Sequence, residues 1–516
     1  MGGYGDGAIA RPVYRWLGRL IPILCFVLLG VASILVTDVV IQLVAKHYRR
    51  DRELIVMGLF LGGVPCTILV GAILWDGWRM GWALVKELKW YHGLWALLFL
   101  SSLTYRKRSS SEAYSAPVDS AAAYRMLVVF FVGSVLLLRL FLRRTDWLKS
   151  LISGIVGCLA WFAMVCVVSS LWSVYWSWTL YKACEYSVDI GCLAAIIYVA
   201  TKDEELKTWF DWTWLLYGLL LCAVWIGAFI DPSAGFSTSL EYGTAGIGLI
   251  GYQLVGVFPD VAANGVGEYG AIIGGIALAR LLPYSRQRKH TLWYIGLFLF
   301  ALLTMFFAQS RSSIAGWCMA VFVIFLFSRR VFMGAVIFLT GAASLVFSGA
   351  LQEIWQYLER GQSAAEMSSL SSRLTFWAVA WEKLSDYPLT GLGAWAAGRF
   401  AVLSRLGHKQ TGTMHSDWIE TVVGTSFWGI IPIVVVMVWS WWVLIRFIRD
   451  PEIYGLNADL ALEAIGVLGI LTVRMFFMTD LTLHAPLDFF VPLGYAEVLR
   501  RRAKYGGARA PKLLFS

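Results

Sequence analysis

Three residues combine a reactive side chain with an informative setting: Arg311, His415 and Arg373. Arg311 interrupts a run, 291–327, that is otherwise almost continuously apolar. As one helix that run would extend about 55 Å at 1.5 Å per residue. A bilayer core is about 30 Å thick, so the run must break. The polar interruption Gln309-Ser310-Arg311-Ser312-Ser313 is where two helices are expected to meet. An Arg flanked by apolar helix costs about 2.5–3.5 kcal/mol at the centre of a span and less at its end. Its ordinary role is an interfacial anchor, but anchors are favoured on the inner side, and the topology below places Arg311 outside. A guanidinium presented by two helix ends suits bidentate phosphate binding.

His415 lies in TGTMHSDWIETVVG, one turn before a strongly apolar stretch. An imidazole at an outer-facing helix start can act as a general base near neutral pH; a solvated loop histidine is the competing reading. Asp417 and Glu420 are close enough in sequence to orient it. Arg373 opens a segment whose apolar positions Leu374, Trp377, Ala378, Trp381 and Leu384 recur at helical spacing. Ser371 or Ser372 would cap that helix, and Pro388, Gly391 and Gly393 would end it. The expected result is an amphipathic helix at the outer surface with Arg373 near its start. Ser310, Arg399, Arg405, Asp417 and Glu420 complete the expected substrate contacts.

Other combinations are weaker. Asp480, His484 and Asp488 would share a face of a helix, but Pro486 interrupts it, and a polar contact between helices is favoured over metal ligation. Asp51 and Glu53 form an acid pair inside a juxtamembrane basic cluster, a poor metal site. No P-loop, GxGxxG, HExxH or GxSxG stretch occurs, so nucleotide and ordinary hydrolase chemistry have no support.

The elements that must position these groups follow from composition. The 516 residues are 59% hydrophobic and 15% charged, too few charges for the skins of several soluble domains. Soluble enzyme, disordered protein and disulfide scaffold are excluded. Candidate spans cover roughly 20–45, 53–75, 90–104, 124–142, 151–172, 181–201, 209–230, 268–283, 291–309, 312–328, 331–348, 418–446, 461–482 and 486–499. The fold class is therefore all-α: a polytopic membrane protein of about 12–14 transmembrane helices with one large outer loop containing amphipathic helices. N-terminal helices occupy 1–150, a central bundle 151–348, the outer loop 349–417, C-terminal helices 418–499 and a basic tail 500–516.

The net charge of +10 sits in clusters beside apolar segments, among them Arg286 to Lys289, Arg329 with Arg330, and Arg500 to Lys512. That is the positive-inside pattern and not a nucleic-acid footprint, so no nucleic-acid partner is expected. With the tail inside, 231–267, Gln309 to Ser312 and 349–417 fall outside. The rule conflicts with itself before residue 150, where Lys46 to Arg52 and Arg106 to Arg108 would also fall outside. The eight cysteines all lie in apolar stretches without metal spacing and read as small core residues. Trp172, Tyr175, Trp176 and Trp178 sit at a span end, where an interfacial belt is favoured over sugar stacking.

Three stretches together resemble the O-antigen ligase family: AQSRSSIAGW (308–317), SSRLTFWAVAWEKLSDYPLTGLGAW (371–395) and MHSDWIETVVGTSFWGI (414–430). SSLWSVYWS (169–177) and FPDVAANGVGEYGAI (258–272) add weaker similarity. No single motif is specific; the ordered set is. Ser416 stands where the family usually has Asn. The resemblance implies a bacterial inner-membrane enzyme with a periplasmic catalytic loop and no cofactor. Arg311 and Arg373 would hold the diphosphate of an undecaprenyl-diphosphate-linked glycan donor, and His415 would deprotonate the acceptor hydroxyl. The acceptor would be lipid A-core, as in lipopolysaccharide biosynthesis, or another glycan or protein hydroxyl.

Ligase, polysaccharide polymerase and protein O-oligosaccharyltransferase share this pattern. Some polymerases show Arg-x10-Gly in outer loops, but here Arg360, Arg373, Arg399 and Arg405 are followed at that spacing by Ser371, Leu384, Gln410 and Ser416. This favours the ligase. A small-anion transporter is the rival from another class; it would place ionisable residues near the midplane rather than at the outer boundary.

Overall fold

The computed structural model describes residues 71–104, 118–142, 146–200, 202–237, 252–282, 290–328, 330–348, 351–359, 373–406, 413–450 and 458–504. Several sequence features lie outside these residues. They are the span 20–45, most of 53–75, Asp51 and Glu53, the basic groups 46–52, 106–108 and 286–289, Arg329, Arg360, the Ser371/Ser372 cap and the tail after 504.

The chain divides into two compact units, 1–86 with 289–296, and 87–288 with 297–516. In the smaller, a helix over 71–85 (α1) meets the start of α8 (Thr291–Ala308). Gly77 leaves room for the Trp293 ring, and Asp76 pairs with His290 at 2.6 Å. The larger unit is built from α2 (Trp90–Ser102), α3 (Ser120–Phe141), α4 (Gly154–Ser169), α5 (Trp176–Val199), α6 (Asp203–Ile230) and α7 (Ala263–Leu281). It continues with the rest of α8, α9 (Arg311–Phe327), α10 (Val331–Ser348), α11 (Leu351–Glu359) and α12 (Arg373–Asp386). A π-helical turn (Ala397–Leu403), α13 (Asp417–Arg449), α14 (Ala458–Arg474) and α15 (Leu487–Lys504) complete it. Among the described residues the only sheet pairs β1 (Phe236–Ser237) with β2 (Gln253–Leu254), antiparallel. The molecule is an all-α polytopic membrane protein: α3, α6, α8 and α13 are long and apolar enough to cross a membrane, and α4, α9 and part of α10 are shorter apolar helices.

In lipid, helices gain little from hydrophobicity alone, so small residues that allow close approach decide the packing. α9 and α14 show this. A Cβ on Gly316 would stand 2.9 Å from the Ile470 carbonyl, and one on Gly466 would stand 2.9 Å from Ile324. Buried charges pair between helices: Arg280 of α7 reaches Asp211 of α6 at 2.6 Å and Glu463 of α14 at 2.8 Å. At the start of α15's basic run, Glu497 is fully buried and binds Arg500, Arg501 and the Ile155 amide that opens α4.

Two sequence expectations about element boundaries are corrected. The span expected over 461–482 ends at Arg474, and 475–486 is irregular. Its backbone groups bond outside a helix, to the α13 N-terminus and to Asp189. The amphipathic helix forms over Arg373–Asp386, but its buried face is Phe376 and Ala380; Leu374 and Trp381, from the expected stripe, are exposed. Apolar residues flank both sides of this helix, and tertiary contacts choose between them. The expected break in 291–327 is where the sequence placed it, with α8 ending at Ala308 and α9 starting at Arg311.

Candidate functional site

Arg311 is the first residue of α9. The preceding Gln309 has a positive φ of 51°, which turns the chain between the two helices, and its Nε2 donates to the Tyr252 carbonyl at 2.6 Å. Ser310 is fully buried, its Oγ bonded to Ser313 Oγ at 2.8 Å. Gly267 of α7 permits this, since a Cβ there would stand 2.5 Å from the Ser310 Cβ. The Ser310 hydroxyl therefore serves the helix junction, while Arg311 is partly exposed beside it.

Arg373 opens α12 and donates Nη1 to the Phe477 carbonyl at 2.7 Å. One turn on, Trp377 donates Nε1 to the Met414 carbonyl at 3.0 Å. That bond ties α12 to the residue before His415. His415 has φ 53°, the left-handed region that costs a non-glycine residue energy and gathers at functional sites. Its neighbours over-determine the turn. Met414 N donates to Glu420 Oε2 at 3.0 Å, and Ser416 Oγ caps α13 at the Ile419 amide. Asp417 N donates to the carbonyls of Met475 and Met478 at 3.0 and 3.1 Å. The Asp417 carboxylate, fully buried, accepts from the amides of Asp480, Leu481 and Thr482 and from Thr482 Oγ1.

Asp417 and Glu420 thus hold the backbone on either side of His415. Burial, reinforced by the Arg373 guanidinium, pushes the His415 imidazole down to about 3. It is neutral at physiological pH and able to accept a proton. Arg373 and His415 are therefore electrostatic neighbours. Arg405 lies elsewhere, in an exposed ion pair with Glu382 at 2.8 Å, and Arg399 packs 5.2 Å from the centre of the Trp178 ring.

The glycine turn that follows α12 is locked between two elements. Gly391 (φ 67°) and Gly393 (φ 98°) occupy backbone conformations that side chains resist. A Cβ on Gly391 would stand 2.7 Å from the Gly424 backbone, and one on Gly393 would stand 2.1 Å from Ser173 Oγ. α13 breaks at Ser426 (φ 56°), so its Val423 and Gly424 carbonyls accept instead from the amides of Leu392 and Gly393, both at 2.9 Å. On the other side Val174 N donates to Leu392 O at 3.0 Å, and Thr179 Oγ1 donates to Ala394 O at 2.8 Å. The LWSVYWSW stretch is thus a docking platform as well as an aromatic cluster. Trp172 and Trp176 are exposed as a belt requires, but Trp178 is buried. A small, partly open cleft against the turn is lined by Phe162, Trp395, Glu420, Thr421, Thr425 and Thr482 among others.

The residues Asp480, His484 and Asp488 do not share a helical face. Asp480 pairs with Arg474 at 3.1 Å, and His484 Nδ1 meets Asp189 at 3.1 Å while its Nε2 meets Ser101 Oγ at 2.7 Å. Asp488 accepts from the amide of Phe489. Sequence reasoning overlooked Arg474, although the signal was the one that marked Arg311: a lone guanidinium in a long apolar run.

Fold and packing define an all-α polytopic membrane protein whose segment 373–406 is bonded to the connection before α5 and to α13. Residues 296–434 match the family model described as O-antigen ligase, so the chain carries a domain of the O-antigen ligase family. The matched stretch includes Arg311, Arg373 and His415. No curated protein matches the chain. A domain of this kind is ligase- or polymerase-like and belongs to glycosyltransferase-like membrane enzymes, whose partners are in general glycans and lipid-linked molecules.

Proposed function

We propose that this protein transfers a glycan from undecaprenyl diphosphate to a hydroxyl acceptor on the periplasmic side of the bacterial inner membrane, and that the reaction is O-antigen ligation to lipid A-core. The observation that carries this reading is the coupling of His415 to Arg373 on two segments bonded to one turn, 475–482. Arg311 and Arg373 would bind the diphosphate. The acceptor oxygen attacks the anomeric carbon, and the bond from that carbon to the diphosphate oxygen breaks with both electrons leaving on the diphosphate. His415 takes the acceptor proton. Both guanidiniums offset the charge that grows on the leaving group, so the step as drawn uses neither metal nor nucleotide. An imidazole pushed down to about 3 is a weak base in the free enzyme. The bound diphosphate counters the Arg373 charge and raises the basicity of His415 when a donor is present.

A deletion strain tests the assignment. Long glycan left on undecaprenyl diphosphate supports a ligase, single repeats point to a polymerase, and intact lipopolysaccharide with an unglycosylated protein points to a protein transferase. Loss of anion uptake with transfer intact in Arg311→Ala and His415→Ala membranes would establish the transporter instead.

A further inference from the structure

Arg474 closes α14 and is fully buried. Every nitrogen of its guanidinium is engaged. Nε donates to Asp480 Oδ2 at 3.1 Å, and Nη2 donates to Glu268 Oε2 of α7 at 2.7 Å. Nη1 donates to Ser313 Oγ of α9 at 2.7 Å, with Ser312 Oγ at 3.4 Å and the Asn264 carbonyl at 3.5 Å on the same nitrogen. Ser312 and Ser313 immediately follow Arg311. Asp480 belongs to the turn whose amides the Asp417 carboxylate receives, and Asp417 lies two residues after His415. The same turn supplies the Phe477 carbonyl that receives Arg373.

One planar fork therefore reaches the segments that carry all three candidate groups, though it adjoins none of them in sequence. We propose that Arg474 is the positioning residue that fixes Arg311 relative to Arg373 and His415, so that one diphosphate can engage both guanidiniums. This deepens the glycosyl-transfer reading and rests on it for the ligand. Sequence and bonding favour a positioning role over a general structural one. One carboxylate would balance the charge of a buried Arg, whereas here a second carboxylate and hydroxyls at the α9 start also take up its N–H groups. A lysine keeps the charge but lacks the fixed, multi-armed geometry.

The test uses the full-length protein in nanodiscs, with undecaprenyl diphosphate as the probe. Arg474→Lys and Ser313→Ala are compared with wild type, Arg311→Ala, and the double variant Arg474→Lys/Arg311→Ala. The expected result has two parts. Amides of Asp480, Leu481 and Thr482 exchange at least about tenfold faster in Arg474→Lys, by loss of its bonds to Asp480. Probe affinity falls about tenfold in Arg474→Lys, by less in Ser313→Ala, and by no further amount when Arg474→Lys is added to Arg311→Ala. A purely structural residue would instead weaken binding additively or lower only the folded yield. Wild-type affinity in folded Arg474→Lys and Ser313→Ala, or an additive double variant, overturns the proposal. Absence of probe binding in wild type overturns the diphosphate reading; accelerated exchange in that case leaves the coupling of Arg474 to the 480–482 turn standing.

Discussion

His415 is a half-buried residue with a left-handed backbone, and the low basicity of its imidazole comes first from burial and then from Arg373. Its role as base makes distinct predictions from those for the guanidiniums. His415→Ala should lower kcat for glycan transfer by about 10²–10⁴, the usual contribution of a positioned base, while undecaprenyl diphosphate binding is retained. Arg311→Ala and Arg373→Ala should weaken that binding, and lysine at either position should restore only part of it, because an ammonium lacks the bidentate fork. The pH dependence follows from the shift. The base must be neutral, so activity falls on acidification through its pKa. The acid limb of kcat/KM, which reports the free enzyme, should therefore lie well below pH 6.5. The limb of kcat, which reports the donor complex, should lie higher. Arg373→Gln removes the like-charge repulsion and should move the kcat/KM limb upward. A downward move, or a wild-type kcat/KM limb at or above 6.5, would contradict the coupling.

At the scale of elements, the loop is held by exchange of backbone partners. The break at Ser426 releases two carbonyls of α13, and the glycine turn fills them with the amides of Leu392 and Gly393. Gly393 is the tightest point of this arrangement. Gly393→Ala adds left-handed strain on the order of 1–3 kcal/mol and a collision with Ser173. Thermal unfolding in detergent should show a lower Tm, and Ser173→Gly in the same chain should relieve part of the collision, the Ser173 Cα remaining 2.7 Å away, and none of the strain. Full recovery would mean the backbone conformation costs nothing. The glycines themselves were legible in sequence as the end of α12. Their partners were not, because a broken transmembrane helix and a loop about 220 residues upstream supply them only after folding. The same reason explains why the buried face of α12 differs from the expected stripe: with apolar residues on both flanks, the periodicity alone left two faces eligible.

For the whole molecule, charge scarcity was a guide to class. Arg500, Arg501 and Arg502 read as an inner anchor, and each also has a specific partner: Glu497 for the first two and Asp203 for the third. Net charge cannot distinguish these roles, since an anchor and a buried ion pair carry the same formal charge. The proposed orientation is open to direct measurement. A cysteine replacing exposed Ser404 should react with a membrane-impermeant maleimide in intact spheroplasts, and one replacing Ala508 should react only after lysis. The opposite pattern would invert the topology and remove the periplasmic site.

The sequence by itself determined the all-α membrane class, the break before Arg311, and the resemblance that singled out Arg311, Arg373 and His415. Those depend on local hydrophobicity, on the length a bilayer permits, and on short ordered motifs, all of which are written along the chain. Only the tertiary structure decided how the three are held together. The turn 475–482 looked like the end of a span, since its residues are mostly apolar. What makes it irregular is the Asp417 carboxylate and amide, distant in the chain, together with the neighbouring Arg474 fork, whose other arms reach α7 and α9. Hydrogen bonds across such separations have no local signature, because either end looks ordinary until the fold brings the other to it.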